Sequence, residues 1–195
     1  MNHFPLFHSR VIPLLINDID TDQIIPARFL KVTDKIGLGA NLFSDWRYKA
    51  DVSPNSEFIL NNPAYAGAAV LLAGDNFGCG SSREHAAWAL AGSGFRAVIS
   101  TSFADIFKNN VLKNGILPIV VDARTHERLS AKVRSVTPLE LSVDLEAQTI
   151  QVPGEEAVAF PIDAFSKTCI LEGSDELGYL LKFEKQIAAF EEHHA

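Results

Sequence analysis

The stretch GDNFGCGSSREH at positions 74–85 constrains this chain most. It follows a continuous apolar run at 68–73 and leads into a helix-forming segment at 82–90, which Gly92 and Gly94 stop. An unbroken apolar run bounded by turn residues reads as a strand buried on both faces. The alternation then repeats. A strand is expected at 97–99, and a helix at 103–112 with Phe103, Ile106, Phe107 and Val111 at helical spacing. A strand at 116–121 and a helix at 124–133 complete a parallel α/β unit with right-handed crossovers.

The flanks differ. A strand is expected at 11–16, followed by a polar run at 17–23. Residues 24–62 carry Gly37, Gly39, Pro54, Asn61 and Asn62 and read as a long, partly helical connection. Alternation at 139–145, then 150–152 and 158–162, predicts short antiparallel strands. Helices over 163–171 and 175–190 are expected to close the chain, the second with Leu180, Phe183, Ile187 and Phe190 as a core or subunit-contact stripe. No repeat or linker divides the 195 residues, so 1–195 reads as one domain with a helical extension from about 175.

The glycine-rich turn carries chemistry. A helix that starts at a turn points its free N–H groups and positive dipole end into that turn, which suits an anion. Arg83 adds a fork for a carboxylate or phosphate. Neither nucleotide motif fits. A phosphate loop needs Lys before the Ser, and Gly80 stands there; a dinucleotide fingerprint needs a third Gly where Arg83 stands. Ser81 with Glu84 also matches a capping box, a structural reading that does not exclude a chemical one. Cys79 is a rival nucleophile with His85 as its base. The acids Asp18, Asp20 and Asp22 invite calcium, but Gln23 and Phe29 occupy the Gly and Glu positions of an EF-hand loop, leaving Asx turns as the alternative.

Composition excludes several classes. The net charge of -7 argues against a nucleic-acid binder. No apolar run approaches the roughly 18 residues of a membrane span, and the first ten residues do not read as a signal peptide. Two cysteines, Cys79 and Cys169, fit a reducing cytoplasm. They fall short of the thiolates an iron–sulfur cluster needs.

The segments DTDQIIP at 20–26, NLFSDWR at 41–47, FGCGSSREHA at 77–86 and SFADIF at 102–107 occur in this order. With DLEAQ at 144–148 and IDAF at 162–165, they resemble the small subunits of bacterial two-subunit 3-isopropylmalate dehydratases in the aconitase superfamily. The resemblance implies an α/β fold of the aconitase-like swivelling β/β/α type, with a parallel unit, added antiparallel strands and C-terminal helices. It implies a heterodimer with a large subunit that carries a [4Fe–4S] cluster, no cofactor being bound by this chain. The implied substrate is a small dicarboxylate, and the implied reaction is the leucine-biosynthetic isomerisation of 2- and 3-isopropylmalate through 2-isopropylmaleate. It implies Ser81 as general base, Ser82 and Arg83 as carboxylate-binding residues, and Asp22 as support for a histidine of the large subunit. Aconitase carries a further substrate arginine after its Thr-Asp pair. Residues 24–39, with Arg28, Lys31 and Lys35, show no match to it, which suits an isopropyl group in place of a carboxymethyl arm. The competing readings are a related hydro-lyase acting on citraconate or homoaconitate, a dicarboxylate-binding module, and a thiol hydrolase built on Cys79.

Overall fold

A computed structural model describes residues 4–194. Its strands are β1 (Phe7–Leu14), β2 (Val70–Ala73), β3 (Ala97–Ser100), β4 (Leu117–Val120), β5 (Glu140–Asp144), β6 (Thr149–Gln151) and β7 (Val158–Ala159). They form one sheet in the order β4-β3-β2-β1-β5-β6-β7. Strand β1 is the seam. Its second half, Val11 to Leu14, runs parallel to β2, while Phe7 to Arg10 pair antiparallel with β5. Strands β2, β3 and β4 are parallel, and β5, β6 and β7 are antiparallel. Every residue of β2 and β3 is buried, as their apolar runs require, and the one polar member, Ser100, donates its hydroxyl to the Gly74 carbonyl at 2.6 Å. In β5 only Leu141 and Val143 are buried, the alternation of a sheet with one wet face.

The helices are α1 (Thr21–Ile24), α2 (Ser44–Arg47), α3 (Glu84–Gly92), α4 (Asp105–Lys113), α5 (Ala123–Ser135), α6 (Ala164–Glu172), α7 (Glu176–Leu181) and α8 (Glu184–His194). Successive residues of β1 and β2 face opposite sides, so they feed two cores. Ile12, Leu14 and Leu71 join Leu90 of α3, Phe107 of α4 and Leu42 and Phe43 of the long connection. Val11, Val70 and Leu72 join Leu129 of α5, Ile170 of α6 and the antiparallel strands. The connection at 24–62 holds α2 and single 3-10 turns, as its glycines and prolines imply.

Several elements depart from expectation: the strand expected at 158–162 shortens to Val158–Ala159, and the helix expected from 103 begins at Asp105. The sheet pairing carries β1 back to Phe7, and it ends at Leu14 rather than at 16. Helix α3 begins at Glu84 rather than at 82. The closing helix is broken at Lys182 and Phe183, whose N–H groups bond Tyr179 and Leu180 carbonyls three residues back. Its stripe does not enter the core: Leu180, Ile187 and Phe190 stay exposed. No helix of the described residues is long and apolar enough to cross a membrane.

Candidate active site

The two polar segments leave the carboxyl ends of adjacent parallel strands, β1 and β2, where open α/β sheets form their crevices. They are laced together. Asp18 N–H donates to the Asp75 carbonyl (2.9 Å), Gly78 N–H to Ile19 (2.8 Å) and Thr21 N–H to Cys79 (2.9 Å). Asp18 and Asn76 both adopt positive φ, and Asn76 Nδ2 donates to Asp18 Oδ1 at 2.7 Å. Asp20 caps α1, with Gln23 returning a bond to its N–H. The acid run therefore builds a cap and a loop junction. Among the described residues, no group of three or more His, Cys, Asp or Glu side chains could hold a metal ion.

A third loop, after β3, braces the junction. The Thr101 and Ser102 hydroxyls both donate to Asp75 Oδ1 at 2.7 Å. These bonds hold the Asp75 carboxyl below its ordinary value, with a smaller contribution from His126. A carboxyl depressed on folding stabilises the native state above its unfolded pKa of about 3.9, and that stabilisation fades as pH falls through the folded value. We expect Asp75→Asn to lower stability by a constant amount from neutral pH to about pH 5, the gap to wild type closing below about pH 4. Urea titrations across this range check it.

Gly78 and Gly80 have φ of +78° and +86°. These turns carry the chain past Phe107 and into an extended Arg83, the residue before α3. The Ser81 capping box does not form: Arg83 takes the N-cap position, and no side chain caps the first turn. The cause is tertiary. Thr21 Oγ1 donates to the Ser81 carbonyl at 2.8 Å and keeps that residue outside the helix. The Ser81 and Ser82 side chains are exposed, and neither hydroxyl has a hydrogen-bond partner among the described residues.

Ser81, Ser82 and Arg83 border a cavity of about 250 Å³, with Thr21 and the start of α4 on its other sides. Helix α4 also lacks a side-chain cap, its N-cap being Ala104. Two uncapped helix N-termini thus meet one cavity, an arrangement that favours anions. The contribution of α4 was not foreseen, although SFADIF directly after a strand was its available signal. Arg83 is mostly buried and pairs with the half-exposed Asp22 carboxylate. All four candidate residues, Asp22, Ser81, Ser82 and Arg83, are therefore together. Cys79 and His85 are not a pair: burial and then Asp20 and Asp18 push the Cys79 thiol up, and His85 Nε2 binds the Val32 carbonyl at 3.0 Å. Arg28 is engaged with Asp45 and Ser44.

Residues 4–124 match the family model of the aconitase C-terminal domain, and 127–164 match a second model, LeuD_N. The 3-isopropylmalate dehydratase small subunit of Anaeromyxobacter sp. (strain K) is 55% identical over 191 residues, 98% of each chain. That of Herpetosiphon aurantiacus is 59% identical over 189 residues, 97% of this chain and 93% of its own. The chain belongs to the 3-isopropylmalate dehydratase small-subunit family. That family consists of hydro-lyase subunits of leucine biosynthesis. A crystal structure of 3-isopropylmalate dehydratase from Methanocaldococcus jannaschii superposes with a TM-score of 0.67 at 27% identity, covering 95% of this chain and 99% of that one. The half-parallel, half-antiparallel sheet is thus the aconitase-type small-subunit fold of the 3-isopropylmalate dehydratases.

Proposed function

We propose that this chain, with an iron–sulfur large subunit, isomerises 2-isopropylmalate and 3-isopropylmalate by dehydration to 2-isopropylmaleate and rehydration. The observation that carries this reading is the free Ser81 hydroxyl, held beside Arg83 and the uncapped starts of α3 and α4. Ser81 Oγ is the general base. It takes the carbon-bound proton in dehydration and returns it in hydration. Its alkoxide needs a positive field, which the helix dipoles and Arg83 supply, and exclusion of water by a partner strengthens that field. Ser82 and Arg83 bind a substrate carboxylate. Asp22 supports a histidine of the large subunit and gives up Arg83 as the complex forms. Two cysteines, one in the glycine-rich loop and one on α6, are no donor set for a [4Fe–4S] cluster. Lewis-acid chemistry on the departing hydroxyl is therefore the partner's to supply. Residues 1–195 act as one swivelling domain, with a helical extension from about 175, in the cytoplasm.

Anaerobic mixing with the cluster-loaded large subunit, followed by loss of 2-isopropylmaleate absorbance, tests the reading. A formed complex with no turnover would move the chain to a binding module or a neighbouring hydro-lyase. In the active complex we expect Arg83→Lys to raise KM roughly tenfold or more, because an ammonium cannot reproduce a bidentate grip. An unchanged KM would remove Arg83 from the carboxylate site.

A further inference from the structure

The helical spacing groups Ile106 with Phe103, Phe107 and Val111, yet the structure separates it from them. Phe107 and Val111 are the buried face of α4, and Phe103 packs against the same core. Ile106 joins neither core and is 56% exposed. A single exposed aliphatic is ordinary on a protein surface. What sets this one apart is the cavity that it borders.

Ile106 stands in the first turn of α4 and borders the same cavity of about 250 Å³ as Ser81, Ser82 and Arg83. That cavity has two unlike sides. One carries hydroxyls and a guanidinium, and the other is Ala104, Ile106 and Phe107. Phe107 is already committed to the fold. It is 3% exposed, its ring fills the space beside Gly78, and it packs edge-on against Phe77. Ala104 ends at its Cβ. Ile106 is therefore the side chain of this wall that has both reach and free apolar surface. Asp105 borders the cavity as well, exposed and without a hydrogen-bond or ion-pair partner among the described residues. An apolar surface beside an unpaired carboxylate favours an uncharged arm over a charged one.

A ligand whose carboxylate is held by Ser82 and Arg83 has the opposite wall left for another arm. We propose that Ile106 is a specificity-determining residue of this site, its side chain covering the branched hydrocarbon arm of the substrate. The proposal rests on the functional reading above. Its test uses the assembled enzyme and two variants. Ile106→Ala removes the branched tip, and Ile106→Leu keeps the volume. Because Ile106 lies outside both cores, both variants should keep the Tm of the free subunit.

Ile106→Ala should lower kcat/KM for 2-isopropylmaleate roughly five- to twentyfold, but for 2-methylmaleate by about twofold or less. Ile106→Leu should restore most of the preference. Anaerobic calorimetry of the complex with 2-isopropylsuccinate and 2-methylsuccinate, which do not react, gives a readout that needs no turnover. Wild type should prefer the isopropyl compound, and Ile106→Ala should lose most of that preference. An equal loss on both maleates, an unchanged preference, or wild-type binding that does not distinguish the two succinates would overturn the proposal. So would a loss confined to affinity for the large subunit, which would assign Ile106 to the subunit contact. A wild-type complex that turns over neither maleate would instead defeat the functional reading, and the succinates would still judge Ile106.

Discussion

Ser81→Ala in the assembled enzyme is expected to lower kcat for 2-isopropylmaleate hydration by about a thousandfold, within the range that a positioned general acid–base group supplies. The fold should not notice. Among the described residues the Ser81 hydroxyl has no hydrogen-bond partner, and it is the Ser81 backbone carbonyl that Thr21 Oγ1 holds. The melting temperature of the free subunit and its affinity for the large subunit should therefore match wild type. Cys79→Ala in parallel should keep most activity, because burial and two neighbouring aspartates keep that thiol protonated. Wild-type rates from Ser81→Ala would take the base away from this turn altogether.

Gly78→Ala is expected to act on stability with comparable force. A Cβ at Gly78 would stand 2.1 Å from Cγ of Phe107, inside the ring's van der Waals envelope. The ring cannot leave: Phe107 is 3% exposed and packs edge-on against Phe77 with centroids 5.3 Å apart. The φ of +78° adds its own penalty for any residue with a Cβ. Overpacking and the left-handed backbone together cost about 3 kcal/mol or more, a fall in Tm of roughly 6–12 °C for a chain of this size. Gly154→Ala is the control. Its φ is +79°, but nothing lies within 4 Å of the added Cβ. It should show the backbone penalty alone, about 1–2 kcal/mol. Equal losses in the two variants, by thermal or urea denaturation, would mean that the Phe107 contact does not constrain the turn.

The parallel unit was legible because its signals are local. The apolar runs that became β2, β3 and β4 each follow a glycine, Gly67, Gly94 or Gly115, and the site turn announces itself by glycine spacing. What escaped depended on partners distant in sequence. The first half of β1 has no strong strand pattern of its own and is a strand because β5 pairs with it. The SSRE sequence looks like a helix start, yet a hydroxyl from Thr21 and the positive φ of Gly80 hold the chain extended through Arg83. The pairing of Arg83 with Asp22, the arrival of α4 at the cavity, and the grip of His85 on Val32 are likewise meetings of separate loops. Residue types alone could suggest the chemistry of Ser81 and Arg83, but not their neighbours.

The seam in β1 has a consequence for the order in which the chain is made. Phe7 pairs with Val143, whereas Val11 pairs with Val70. On the ribosome, the sequence for β1 to β4 and for both loops of the turn is complete long before Glu140 emerges. Domain segments begin to fold as they are released, and pairings far apart in sequence close late. The nascent chain therefore carries its glycine-rich turn on a half-sheet whose β1 edge is still bare, and a bare strand edge invites pairing with another chain. Arrival of β5, β6 and β7 covers that edge, so the antiparallel half serves as the late-made guard of an early-made site.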